Sequence, residues 1–299
     1  MSCMEYNTFL SYIRENISDY LEDIEVKETT IIHTNQNNGV MKDELLIRTA
    51  GSDYATAIGL EPFYQRHMAG IDADTILDDI SDTYFANMVF PGRLSANDLH
   101  IFERVKDYIY LRVINKEKNE KLLEQEPYMT KLDLAFVFRV HINSDFHMNI
   151  SAQVTWDMLK AWHIDVQQLY GLALKNTARL FPARIASVTE VLKHQNYPGI
   201  EEAACPLYVI SNAQYVHGAA AVFYPDVLKQ QARLWQSNIY LMPSSVHEMM
   251  LLAENYDVTP QKLASIVREV NECAVAAVEK LSDHVYYYDA QKDEICMIL

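Results

Sequence analysis

Glycine is scarce in this chain. Eight glycines are spread over 299 residues, and none falls into a G-x-G-x-x-G or G-x-x-x-x-G-K-[ST] spacing. A loop that cradles phosphates needs glycine where its backbone approaches the ligand, so dinucleotide-binding and P-loop readings fall away and no cofactor is expected. Positive charge is also short. Twenty-five Lys and Arg stand against 41 Asp and Glu, a net charge of −16. Such a surface repels nucleic-acid phosphates and anionic head groups, so direct binding to nucleic acid or membrane is not expected, whereas a basic protein partner is attracted. No apolar run approaches the ~18 residues that a membrane span requires.

Cysteine is rare and scattered. Cys3, Cys205, Cys273 and Cys296 show no C-x-x-C spacing, which suits free thiols in a reducing compartment better than a disulfide framework or a zinc cluster. Cys205 and Cys296 lie beside apolar, strand-like segments and are expected to be buried. The opening Met1–Tyr6 lacks the basic region and apolar core of a signal peptide. A cytoplasmic location is expected.

What is present is ordinary for a globular protein: 49% apolar and 22% charged residues, with length for one or two domains. Phe9, Leu10, Ile13, Ile17 and Leu21 recur at helical spacing and predict an opening helix. Alternation from Ile24 to Ile32, then Asn37-Asn38-Gly39, then Val40 to Ile47 predicts a β-hairpin. From Ala57 to about Ile114 the pattern is read as helical. It includes a helix led by Asp72 and a longer one capped by Ser95, with Leu99, Phe102, Val105, Ile109 and Val113 on one face.

The charged stretch Lys116–Glu126, ending at Pro127, is the candidate boundary between an N-terminal part, 1–124, and a sheet domain, 125–299. Beyond it, strands are predicted at Leu132–Val140, Met148–Val154, Pro206–Ile210, Gly218–Phe223, Ile239–Met242, Val246–Leu252, Val285–Tyr288 and Glu294–Ile298. Helices are predicted over Trp156–Leu180 with a break near Ile164, over Pro225–Trp235, and after Thr259-Pro260. Short connections between strands imply antiparallel pairing. The expected class is α+β: a helix-rich N-terminal part with a β-hairpin, then a mainly antiparallel sheet with packed helices.

Reactive side chains concentrate at Pro243-Ser244-Ser245-Val246-His247-Glu248. Ser244, Ser245, His247 and Glu248 are the candidate catalytic residues, as nucleophile, base and orienter. Against this, no G-x-S-x-G elbow exposes a serine, and a strand over 246–252 would send His247 and Glu248 to opposite faces. The competing reading is a turn whose hydroxyls satisfy backbone groups. His141, Asp145 and His147 form an H-x3-D-x-H run that is a weak candidate for metal ligation, with a solvated turn as its rival. Trp156, Trp162 and Trp235 occupy apolar helix positions and are read as core.

Several stretches carry a family likeness. They are Asn37-Asn38-Gly39-Val40, Arg112-Val113-Ile114-Asn115-Lys116-Glu117-Lys118-Asn119, Leu132-Asp133-Leu134-Ala135, Pro243–Glu248 and Leu281–Tyr286. In combination they resemble the domain of unknown function 5688 family, an uncharacterised group of anaerobic gut Firmicutes often found near mobile elements. The C-terminal half is distantly similar to the domain of unknown function 1444 family. Neither resemblance implies an activity, a cofactor or a catalytic residue.

The expectation is therefore a cytoplasmic, non-enzymatic protein that binds a protein partner, in its sharper form an acidic mimic of nucleic acid. The alternatives are a hydrolase built around Ser244, Ser245, His247 and Glu248, and a structural homo-oligomer.

Overall fold

The computed structural model describes residues 3–22, 24–50, 55–87, 94–142, 151–194 and 207–299. The chain forms two compact units: one from the described residues within 1–36, 40–104 and 142–150, the other from those within 37–39, 105–141 and 151–299. The fold class is α+β, with three antiparallel sheets among the described residues.

The first unit runs α1 (Tyr6–Asn16), β1 (Val26–Asn35), β2 (Met41–Thr49), β3 (Ala55–Gly59), α2 (Glu61–Met68) and α3 (Ala73–Asn87), and the single turn α4 (Phe102–Val105) ends it, its last residue counted with the second unit. The sheet order is β1-β2-β3. Phe9, Leu10 and Ile13 of α1 meet Leu45, Ile47 and Ile58 of the sheet and Ile76, Leu77, Ile80 and Tyr84 of α3 in one buried cluster. Helical spacing puts each set on a single face, which is why the elements pack there.

The second unit runs β4 (Ile109–Asn115), α5 (Glu120–Leu123), β5 (Tyr128–Lys131), β6 (Leu134–His141), β7 (Ser151–Gln153), α6 (Trp156–Trp162), α7 (Val166–Leu180), β8 (Ala183–Ser187), α8 (Val188–His194), β9 (Tyr208–Asn212), α9 (Val227–Trp235), β10 (Ile239–Met242), β11 (Met249–Ala253), α10 (Pro260–Cys273), β12 (Tyr286–Asp289) and β13 (Glu294–Met297). One sheet orders β4-β6-β5 with β7 on β6, and the other orders β13-β12-β10-β11-β9-β8. Thr259 caps α10, and its side chain accepts from Lys262 N–H. The break near Ile164 is His163, left-handed at φ 55°, between α6 and α7.

Three local readings are corrected. Ala55–Gly59 and Ile109–Asn115 are strands, not parts of helices. In β4 every residue but Arg112 is buried; a strand covered on both faces loses its alternation, so a chance 3–4 spacing reads as a helix. Gly218–Phe223 is a 3-10 helix rather than a strand. Its Gly-Ala-Ala-Ala opening lets the backbone run against β9: a Cβ on Gly218 would lie 2.2 Å from Ser211 Oγ and 2.4 Å from Asn212 N. The segment Val246–Leu252 becomes strand only from Met249.

Cys296 is exposed, against expectation. It sits on β13, the edge of the six-stranded sheet, where one face and one backbone edge meet solvent. Cys205 lies outside the described residues. No helix among the described residues is long and apolar enough to cross a membrane.

Candidate functional site

The connection from β10 to β11 holds the four candidate catalytic residues, and it is stitched on both sides. Val246 N–H donates to Glu279 O at 2.8 Å, Ser282 N–H to Pro243 O at 3.2 Å, and Ala219 N–H to Val246 O at 3.2 Å. Ser245 pairs with Lys280 as an isolated bridge. Ser244 and Ser245 are buried. The hydroxyl of Ser245 accepts from His247 N–H at 3.1 Å, a local side-chain-to-backbone bond of the kind that shapes turns.

His247 is half-buried, and its contacts lead away from the serines. Its Nδ1 accepts from His217 N–H at 3.1 Å. Its Nε2 lies 3.6 Å from Oε1 of Glu279, and its carbonyl accepts from Ser211 Oγ at 2.7 Å. A serine nucleophile needs a ring nitrogen on its hydroxyl; among the described residues neither serine has that bond to His247. Burial pushes the Glu248 carboxyl above its usual range, and the neighbouring His247 partly opposes this.

For the metal reading, His141 is buried at the end of β6, and Asp145 and His147 lie outside the described residues. Among the described residues no group of three His, Cys, Asp or Glu side chains is placed to hold a metal ion.

A Ser–His–Asp grouping that sequence reasoning missed lies elsewhere. Ser282 Oγ donates to Asp133 Oδ2 at 2.6 Å, His284 Nδ1 meets the same oxygen at 3.0 Å, and the Tyr286 hydroxyl donates to Oδ1. Ser282 is fully buried. Ser282 and the carboxylate share one imidazole nitrogen, whereas a triad needs them on opposite ones. Burial raises the Asp133 pKa, but the bonds from Ser282, Tyr286 and His284 outweigh it and hold the carboxyl below the usual range. The grouping is a carboxylate that organises a turn.

Asparagines complete that turn. Fully buried Asn119 accepts from Asn38 N–H at 2.8 Å and donates to Asn115 O at 2.7 Å. Asn37, Asn38 and Asn115 donate in turn to the carbonyls of Val278, Ala277, Lys280 and Leu281.

Two adjoining hollows sit at one end of the six-stranded sheet. One, about 450 Å³, is lined by Arg233, Asn238, Glu254 and Asn255 among others. The other, about 230 Å³, is lined by Tyr208, Trp235, Ala253, Asn255 and Tyr256. Asn255 lines both, so they adjoin, and the two together are called the cleft.

Tyr208 opens β9 and Trp235 closes α9, with ring centroids 4.9 Å apart. Glu254 follows β11 and is steadied by Asn238 Nδ2 at 2.8 Å. Burial, and then Glu254, push the Tyr287 hydroxyl up to about 12. Leu234 stands 75% exposed on the same helix end. Trp235 is thus a cleft wall and Trp156 is exposed, while Trp162 alone of the three is core. Aromatic residues gathered at strand and helix ends rather than within them were the missed signal.

The family model of a family of unknown function (DUF5688) matches residues 6–290. No curated protein and no solved structure matches the chain.

Proposed function

We propose that this chain, which belongs to the DUF5688 family of unknown function, is a non-enzymatic protein that binds a protein partner and receives a basic side chain of it in the Tyr208–Trp235–Tyr256 cleft. The observation that carries the reading is the cleft itself: aromatic faces beside a fixed carboxylate, Glu254. Aromatic faces attract cations through their quadrupole, and a carboxylate adds a charge-assisted hydrogen bond. Arg233, the one cation among the described residues that line the cleft, acts on Asp293 and Tyr288. The net charge of −16 draws a basic partner toward the whole surface.

The engagement of Ser245 with His247 N–H supports a binding role over the hydrolase reading. The exposed thiols of Cys273 and Cys296 suit a reducing cytoplasm.

Calorimetric titration of the full chain with a short Arg/Lys peptide and with its Glu-substituted counterpart tests the reading. Binding of the basic peptide, weakened at least tenfold by Glu254→Gln and by Trp235→Ala, is expected. Equal affinity of the wild type and both variants would refute it.

A further inference from the structure

The four-stranded sheet carries a row of polar side chains on one face. Register sets Tyr110 opposite Arg139 and Arg139 opposite Gln153, with His141 opposite Ser151. Side chains alternate along a strand, so Tyr110 and Arg112 of β4, Arg139 and His141 of β6, and Ser151 and Gln153 of β7 share that face. Among the described residues the charges do not balance there. Glu126 is fully buried and takes both of its oxygens to Arg139, which cancels one positive charge.

Arg112 makes no ion pair among the described residues, although the Glu126 carboxylate, paired to Arg139, also acts on it. Its Nη2 donates to the Tyr110 hydroxyl at 2.6 Å and to Ser151 Oγ at 3.0 Å, both neutral groups. Its Nε is buried and meets no acceptor among the described residues. A guanidinium drawn out of water without an ion pair of its own is costly, and its buried Nε donor without a partner adds to that cost. Both defects fall on one residue.

The rings of His217 and His247 lie 5.3 Å apart, and the positive charges of Arg112 and Arg139 act on His217.

We propose that Arg112, flanked by Arg139, Tyr110 and His217, binds the carboxylate group of a ligand. The charge count selects the ligand class. Among the described residues Arg112 and Arg139 face one carboxylate, Glu126, and the net single positive charge is neutralised by one ligand carboxylate, whereas a dianionic phosphate overshoots by one. The site is independent of the aromatic cleft: it lies on the other sheet of this unit and takes the opposite sign of charge.

Thermal unfolding of the full chain at pH 7 and matched ionic strength, in sodium chloride, sodium acetate or sodium phosphate, tests the proposal. Acetate and phosphate also stabilise proteins generally, so the quantity read is the wild-type increment over chloride minus that of Arg112→Gln. Ligand bound only to the folded state raises the melting temperature. The expected result is an acetate increment a few degrees larger in wild type than in Arg112→Gln, kept in the exposed-surface control Arg268→Gln, with a smaller difference for phosphate.

Should Arg112→Gln fail to fold, Ser151→Ala removes one of the bonds that hold the guanidinium and is expected to reduce the acetate increment. Equal increments in wild type and variant would overturn the site. A phosphate difference exceeding that of acetate would overturn the carboxylate assignment.

Discussion

The backbone N–H of His217 donates to Nδ1 of His247 at 3.1 Å, and this bond sets the tautomer of the second ring. Nδ1 must be unprotonated to accept, so neutral His247 carries its hydrogen on Nε2, facing Glu279 Oε1 at 3.6 Å. Protonating His247 breaks the bond to His217. The segment that looked reactive in sequence is therefore tied, through its histidine, to the 3-10 helix that starts at Gly218.

His217 makes the fold sensitive to acid. Burial, reinforced by Arg112, His247 and Arg139, pushes its pKa from 6.5 down to about 2. Its folded pKa lies below its unfolded value, so its contribution to stability is full above pH 6.5 and declines as pH falls from there toward 2. The limiting slope is about 1.4 kcal/mol per pH unit, and partial solvent access reduces it. Urea denaturation at pH 7 and pH 5 should show His217→Gln losing about 1 kcal/mol less stability than wild type. An equal loss would place the acid sensitivity elsewhere.

Gly218 and Gly171 should respond oppositely to alanine. A Cβ at Gly218 would lie 2.4 Å from Asn212 N and 2.7 Å from His247 O, backbone atoms that cannot turn aside. Gly218→Ala is expected to cost about 2–3 kcal/mol. A Cβ at Gly171, exposed within α7, meets nothing within 4 Å, so Gly171→Ala should add about 0.5–1 kcal/mol. Denaturant midpoints of the two variants measure both effects.

Asp133→Asn removes the negative acceptor shared by Ser282, His284 and Tyr286. With Ser282 and Tyr286 fully buried, the loss should be about 2–3 kcal/mol. The stability that Asp133 supplies is present above its ordinary pKa of 3.8 and declines as pH falls toward its lower folded value, so wild type and variant should converge in acid. A pH series of unfolding midpoints checks this.

Cys3, Cys273 and Cys296 should react with a water-soluble thiol reagent in the folded protein, because all three are exposed. Mass spectrometry of the labelled chain, digested and mapped, reports each site. Labelling of Cys296 only after denaturant is added would contradict its place on an open sheet edge.

Elements whose apolar period and caps agree were legible in the sequence: α1, α3, the Asn37–Gly39 hairpin, the α6–α7 break and the Thr259 cap. β4 was not, because burial on both faces erased its alternation. The 3-10 helix at Gly218 was hidden because small apolar residues fit either a strand or a tight helix. The reactive segment at Ser244–Glu248 was visible as chemistry, but its partners His217, Ser211 and Glu279 are distant in sequence. Arg112 carried one sign, a charge inside an apolar strand. The cleft carried less, because Tyr208 opens β9, Trp235 closes α9 and Tyr256 follows β11, and they meet only through the order of β9 and β11 in the sheet.

The central claim is that the aromatic cleft beside Glu254 binds a basic partner side chain. The indole N–H resonance of Trp235, assigned with Trp235→Phe, tests it most directly during titration of the wild-type chain with Nα-acetyl-arginine amide. A saturable shift confined to Trp235, with Trp156 and Trp162 still and the shift lost in Glu254→Gln, is the predicted result. A Trp235 resonance that stays fixed, or a shift that survives Glu254→Gln unchanged, would contradict the account.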